Sequence, residues 1–364
     1  GVAPGSADLS RVVVDREALA VAAEADGNPV IPLVRALRDG VSEVDVDVAP
    51  WVHRGLTSQD VLDTALVLCA RSAVEEVRRQ VGAQVELLVA RATEHRDDPA
   101  LARTLTQPAL PSTVGLRLAG WLHGVLDADE QLAALRWPVQ LGGAAGTLAS
   151  LVELAGAEGA SALRSDLPAR LGLAPAAPWH TRRTPITRLG DAALGATDAW
   201  GRIARDVLEL GRPEVGELRD GSAGGSSAMP HKANPTLAVL VRRAAIAAPP
   251  LAATLHAAAA EQVDERADGG WHAEWHALAT LLRHAVVVAA QTTDLLRRLG
   301  VDADRAAARL AEVEDDLRAE QRSLAGLTGR EPLPSYDGLA GELVDEALAR
   351  AAAHDPHSHL EERA

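Results

Sequence analysis

From Ser58 to about His95 the chain contains no proline and a single glycine, Gly82. Val61, Leu62, Ala65, Leu66, Cys69, Val77, Val81, Val85 and Leu88 recur there at helical spacing, and Thr57 or Ser58 can cap the start. A helix of about thirty residues is roughly 45 Å long, and a rod of that length buries its apolar stripe only against other rods. The chain supplies them: helices are expected over about Ser112–Leu135, Glu153–Leu171, Thr184–Leu210, Asn234–Gln262, Trp271–Leu299, Asp302–Leu327 and Leu339–Ala353. Asn234-Pro235 reads as a helix start, with Asn as cap and Pro at the first helical position, and Pro249-Pro250 reads as a kink. No internal repeat and no strand–helix–strand alternation is present, so the expected fold class is all-α, an elongated long-helix bundle.

Composition agrees. Among 364 residues there is no Phe, one Tyr and seven Trp. The core must therefore be built from Ala, Leu and Val, which suits closely packed helices and suits sheets poorly. Lys and Arg total 36 against 51 Asp and Glu, a net charge of −15. That balance argues against a nucleic-acid partner, and it requires any anionic substrate to meet a local positive field. Cys69 is the lone cysteine, so there is neither a disulfide framework nor a Cys-based metal site, and it is expected to be a small buried hydrophobe. The run Ala244–Ala260 carries His256 and two prolines and is not expected to span a membrane; a cytoplasmic protein is expected. His354, His357 and His359 read as part of a solvated tail rather than a metal site.

Chemistry concentrates in Gly224-Gly225-Ser226-Ser227-Ala228-Met229-Pro230-His231-Lys232-Ala233-Asn234-Pro235. It is a small-residue loop that delivers hydroxyls and then enters a helix N-terminus, where Lys232 and free N–H groups form an anion-receiving site.

This order resembles the Gly-Ser-Ser-x-Met-Pro-x-Lys-x-Asn signature of the fumarase/aspartase superfamily. Two further segments stand in the right order: His53-Arg54-Gly55-Leu56-Thr57-Ser58-Gln59-Asp60, and Thr104-Leu105-Thr106-Gln107-Pro108-Ala109-Leu110-Pro111. Within the superfamily the chain is most similar to the bacterial 3-carboxy-cis,cis-muconate cycloisomerases. That similarity rests on Gly27–Val34, on Asp63-Thr64 after the first segment, on Gln140–Leu148, on Pro178-Trp179-His180-Thr181-Arg182 and on Trp271–Trp275.

The resemblance implies a reaction at a carbon alpha to a carboxylate, with Ser226 as the base on a closing loop, backed by Ser227. Lys232 and Asn234, with Met229 beside them, would hold the carboxylate that takes the charge. Thr57, Ser58 and Gln59 would hold a second carboxylate, with Gln107, Arg182 and Arg266 completing the substrate site. No cofactor or metal is implied. The implied activity is cyclisation of 3-carboxy-cis,cis-muconate to a carboxymuconolactone in the protocatechuate branch of the beta-ketoadipate pathway. The implied assembly is a homotetramer with shared active sites. On this reading residues 1–57 are a partial N-terminal helical domain, 58–300 the central bundle and 301–364 a shortened C-terminal helical domain, with the chain short of the family length at both ends.

Departures point to alternatives. The cycloisomerases carry a His after the Gln of the second segment, where this chain has Pro108; the lyases carry an acid–base His two residues before that Gln, where it has Leu105. A further family His is replaced by Asp264, and the Arg usual between Lys and Asn of the signature is Ala233. His53 is the surviving candidate proton carrier, with a helix-cap histidine as the alternative. The competing readings are a superfamily lyase eliminating an amine, nitro or oxygen group from a succinate-like substrate, and a catalytically weakened paralogue. His180 and His231 read as rim residues, and His272 and Glu274 as interhelix contacts.

Overall fold

The computed structural model describes Leu9 and residues 12–222, 224–225, 227–229 and 232–354. Among the described residues the protein is all-α apart from one short hairpin and one two-residue antiparallel pairing of distant segments. Its chain divides into two compact units, one of Gly1–Ser72, Arg136–Thr187 and His256–Glu274, the other of Ala73–Leu135, Arg188–Leu255 and Trp275–Ala364. Four long helices carry residues of both: α3 (Ser58–Glu94), α6 (Thr184–Leu210), α7 (Thr236–Ala260) and α8 (Gly270–Arg298).

The first unit also holds α1 (Arg16–Asp26), α2 (Val30–Ser42) and α5 (Ala149–Leu171). Asp15 caps α1 by accepting from the N–H groups of Glu17 and Ala18. Leu141, Leu148, Leu151 and Ala160 form a buried cluster under Leu56, Leu163 and Leu167. The helix α5 breaks at Gly156, where φ is 72°.

The second unit holds β1 (Pro99–Thr104), β2 (Gln107–Thr113), α4 (Val114–Ala133), β3 (Leu218–Arg219), β4 (Gly300–Val301), α9 (Ala303–Ala311), α10 (Glu314–Thr328) and α11 (Ala340–Ala352). Along α3, Val74, Val77, Val81, Val85, Leu88 and Ala92 form one buried stripe. Gln84 sits on that stripe as a polar tie: it accepts from Trp200 Nε1 at 2.8 Å and donates to the Ala289 carbonyl at 2.9 Å. A polar group buried at this depth requires such partners.

Several expectations need correction. The stretch before α4 is a hairpin, which the Ala- and Pro-containing sequence conceals; Pro108 and Pro111 lack N–H donors, and β1–β2 is a two-stranded ribbon in which they cost little. Cys69 is exposed, because the buried face of α3 at this level runs through Asp63, Val67 and Ala70. The helix α7 runs through Pro249-Pro250, as expected. By length and composition it is apolar enough to cross a membrane, with a mean hydropathy of 1.3 over its best window. Its stripe Ala238, Val241, Ala244, Ala248, Ala252 and Leu255 is buried in this unit.

The start of α7 also differs. The Asn234 side chain does not cap it; its Nδ2 donates to the Gly225 carbonyl at 3.0 Å. The cap is Asp220, sixteen residues before the helix begins at Thr236, whose Oδ2 accepts from the Ala238 N–H at 2.8 Å while Oδ1 accepts from the Ser222 N–H. An ionised carboxylate satisfies an orphan amide and complements the positive end of the helix better than a neutral amide does. We expect Asp220→Ala to cost about 1–2 kcal/mol, read as a lower urea midpoint, with faster hydrogen exchange at the first turn of α7.

Candidate active site

Within the first unit one carboxylate organises the start of α3. Asp60 is buried at 3% exposure. Its Oδ2 accepts from the Thr57 N–H at 3.0 Å and the Gly143 N–H at 2.9 Å; its Oδ1 accepts from the Gly142 N–H at 2.8 Å and Gln140 Nε2 at 3.1 Å. The Thr57 bond is the reciprocal half of a capping box. His180 Nε2 lies 3.3 Å from Asp60 Oδ1. His180 is therefore interior rather than rim, and a Cβ at Gly142 would collide with its ring.

Thr57 Oγ1 accepts from Arg266 at 2.6 Å, so two predicted site residues meet, a hydroxyl and a guanidinium. Arg266 also donates to the Ala144 carbonyl at 3.4 Å. Ser58 is half-buried beside them in sequence. Gln59 is buried, and its amide donates to the His180 carbonyl at 2.8 Å, an internal tie. His53 is half-buried with a φ of 62°; burial first, and then Arg38, hold its imidazole below the ordinary histidine pKa, with Asp60 partly opposing. The shift favours the neutral imidazole.

Arg182 is exposed, while its neighbour Arg183 is fully buried. Arg183 donates to Asp63 at 2.7 and 3.1 Å and to Glu274 at 2.6 and 3.0 Å, and stacks 4.8 Å over the Trp179 ring. Asp63 also accepts from Trp271 Nε1 at 2.9 Å. Burial opposes charge on Arg183, but the bonds to Glu274 and Asp63 hold its pKa above the usual value; burial pushes the Glu274 carboxyl up against the pull of Arg183. The residue positions of this network stand in segments singled out by sequence, yet Asp60, Asp63, Gln140 and Arg183 carry no predicted role. The available signal was a run of polar residues on the inward face of an otherwise apolar helix.

The signature belongs to the second unit. Gly224 and Asn234 exchange both backbone hydrogen bonds, at 3.0 and 2.7 Å, and close the neck of the loop. A Cβ at Gly224 would collide with Thr236, so only glycine fits there. Ser227, Met229 and Lys232 are exposed on this loop, with the Lys232 N–H bonded to the Met229 carbonyl at 3.0 Å. Ser226 and His231 lie outside the described residues. Gln107 follows the two-residue turn between β1 and β2 and donates to Thr106 Oγ1. Among the described residues, no group of three or more His, Cys, Asp or Glu is placed to hold a metal ion.

Backbone strain marks the same segments. The described non-glycine residues with positive φ are His53, Leu105, Thr106, Leu148 and Asp264. His53, Leu105 and Thr106 lie in the two segments that resemble the superfamily's conserved ones, and Asp264 lies two residues from Arg266. Such conformers cost of order 1–3 kcal/mol each and concentrate at functional sites.

The lyase family matches residues 4–248. The chain belongs to this lyase family, in the fumarase/aspartase superfamily. It is 46% identical over 351 residues to a nitrosuccinate lyase of Streptomyces davaonensis, covering 94% of this chain and 72% of that one. It is 36% identical over 362 residues to a 3-carboxy-cis,cis-muconate cycloisomerase of Bradyrhizobium diazoefficiens, covering 98% and 78%. The crystal structure of the 3-carboxy-cis,cis-muconate lactonizing enzyme from Pseudomonas putida superposes with a TM-score of 0.80 at 31% identity, covering 93% of this chain and 86% of that one.

In this lyase, removal of the Arg183 guanidinium would strand two buried carboxylates. We expect Arg183→Met to destabilise the fold by about 3–5 kcal/mol, measured by chemical denaturation.

Proposed function

We propose that this enzyme eliminates a weakly basic anion, nitrite, from nitrosuccinate to give fumarate. The observation that carries the reading is the hairpin turn. Leu105 and Pro108 occupy the two places where the superfamily branches carry their proton-transferring histidines, and β2, Gln107–Thr113, contains no ionisable side chain. An amine must be protonated to leave. Nitrite departs with its electron pair and needs no acid. The identity to a nitrosuccinate lyase supports the same substrate.

In this mechanism Ser226, as alkoxide, takes the proton from the methylene carbon alpha to one carboxylate. Lys232 and Asn234 hold the resulting enediolate. The enediolate collapses to the C=C bond as the C–N bond breaks, and Ser226 returns its proton to solvent. Thr57, Ser58 and Arg266 hold the other carboxylate. The positive groups gathered at these segments offset locally the net charge of −15. The second reading, cyclisation of 3-carboxy-cis,cis-muconate, draws on the Gln140–Leu148 and Pro178–Arg182 segments and on the cycloisomerase relatives.

We further propose a cytoplasmic homotetramer whose sites draw on several chains. Val239 and Ile246 of α7 and Val287 of α8 are large apolar side chains exposed on the single chain, as a subunit interface requires. Sedimentation should give a four-chain mass.

With nitrosuccinate, equimolar nitrite and fumarate should appear, by colorimetry and ultraviolet absorbance. Ser226→Ala should lower kcat about 10²–10⁴-fold. Absence of nitrite, together with bleaching of the muconate diene band, would establish the cycloisomerase reading instead.

A further inference from the structure

The geometry points to Asp60 as a positioning residue that sets both halves of the carboxylate clamp, the Thr57 hydroxyl and the Arg266 guanidinium, through one closed ring of hydrogen bonds. This inference rests on the proposed role of Thr57 and Arg266 in holding a substrate carboxylate.

The ring can be followed bond by bond. Asp60 Oδ2 accepts from the Thr57 N–H and fixes the residue whose hydroxyl faces Arg266. The same oxygen accepts from the Gly143 N–H, and Oδ1 accepts from the Gly142 N–H. Those bonds pin one end of the loop from Gly142 to Leu148. The Leu148 N–H donates to the Gly142 carbonyl at 3.1 Å and pins the other end. The pinned loop presents the Ala144 carbonyl to Arg266, and Arg266 reaches back to Thr57. One carboxylate, itself remote from the exposed tip of the loop, therefore fixes where the hydroxyl and the guanidinium stand.

Charge type is essential to this arrangement. All four hydrogen-bonded neighbours of Asp60 are donors, two on each oxygen. Only a group with two acceptor oxygens satisfies them. In Asp60→Asn the amide NH₂ would face two N–H donors, either Thr57 with Gly143 or Gly142 with Gln140. Conflicts of this kind displace the loop rather than merely weaken it. The Leu148 backbone, at φ 56° while its side chain is buried, shows that the loop is held by its surroundings and not by local preference.

The test is a double-mutant cycle read by fumarate binding, using calorimetry, and by nitrosuccinate kinetics. Asp60→Asn and Arg266→Gln should each raise the fumarate Kd about tenfold or more, with kcat reduced much less. The double variant should bind no worse than the poorer single variant, because both changes remove the same clamp. If Arg266→Gln weakens binding while Asp60→Asn leaves Kd within about twofold, or if the two effects multiply, the positioning role is overturned and the clamp stands. If Arg266→Gln leaves fumarate binding unchanged, the clamp reading fails and the positioning role fails with it. Should Asp60→Asn not fold, Gly146→Ala carries the test. Its φ is 82° and a Cβ there meets nothing nearer than Pro178 at 3.9 Å, so it strains the loop without a clash. It should raise Kd with kcat retained, and an unchanged Kd overturns the role.

Discussion

The first unit depends on Arg183 holding Asp63 and Glu274 together inside its core, between Trp179 and Trp271. Two buried carboxylates and a guanidinium are tolerable because their donors and acceptors are engaged with one another and Trp179 covers the cation. Asp63 lies on α3, Glu274 at the start of α8, and Arg183 just before α6. The triad therefore specifies which helix ends meet, a task that Ala and Val side chains, being interchangeable in shape and chemistry, perform poorly. Its backbone contacts extend the effect, since Arg183 donates to the His180 carbonyl that Gln59 also addresses.

From this anchor the site follows by short steps along the chain. Asp63 and Asp60 are one helical turn apart on α3, one facing the triad and the other facing the Gly142–Gly143 amides. The residues that would touch substrate come immediately before, at Thr57 and Ser58. Rigid support and reactive surface thus share a single helix start. In the second unit the signature loop is closed at its neck by the Gly224–Asn234 backbone pair, the Lys232 N–H bonds to the Met229 carbonyl, and the helix that follows is capped from Asp220.

The long helices were legible because period and punctuation agree. The edges of α3 at Ser58 and of α6 at Thr184 and Leu210 fall where capping residues and breakers predict. The hairpin Pro99–Thr113 was not, because three prolines and a run of alanine and leucine give no period-two alternation. Cys69 was misplaced because the first turns of α3 bury polar Asp63 and Thr64, so that apolar residues no longer mark the inward face. Thr57 and Arg266, which the family pattern singles out, meet in the fold, whereas Gln59 turns inward to the His180 carbonyl. The carboxylates behind them were not legible, since a buried Asp and a surface Asp look alike until the N–H donors around them are known.

The strained residues carry a consequence for how the molecule forms. Positive φ at His53, Leu105, Thr106, Leu148 and Asp264 is sparsely populated in an unfolded chain, and little in the local sequence favours it. These conformers persist only when flanking structure over-determines them. These segments therefore hold their shape only once the helices and the β1–β2 ribbon that flank them are formed.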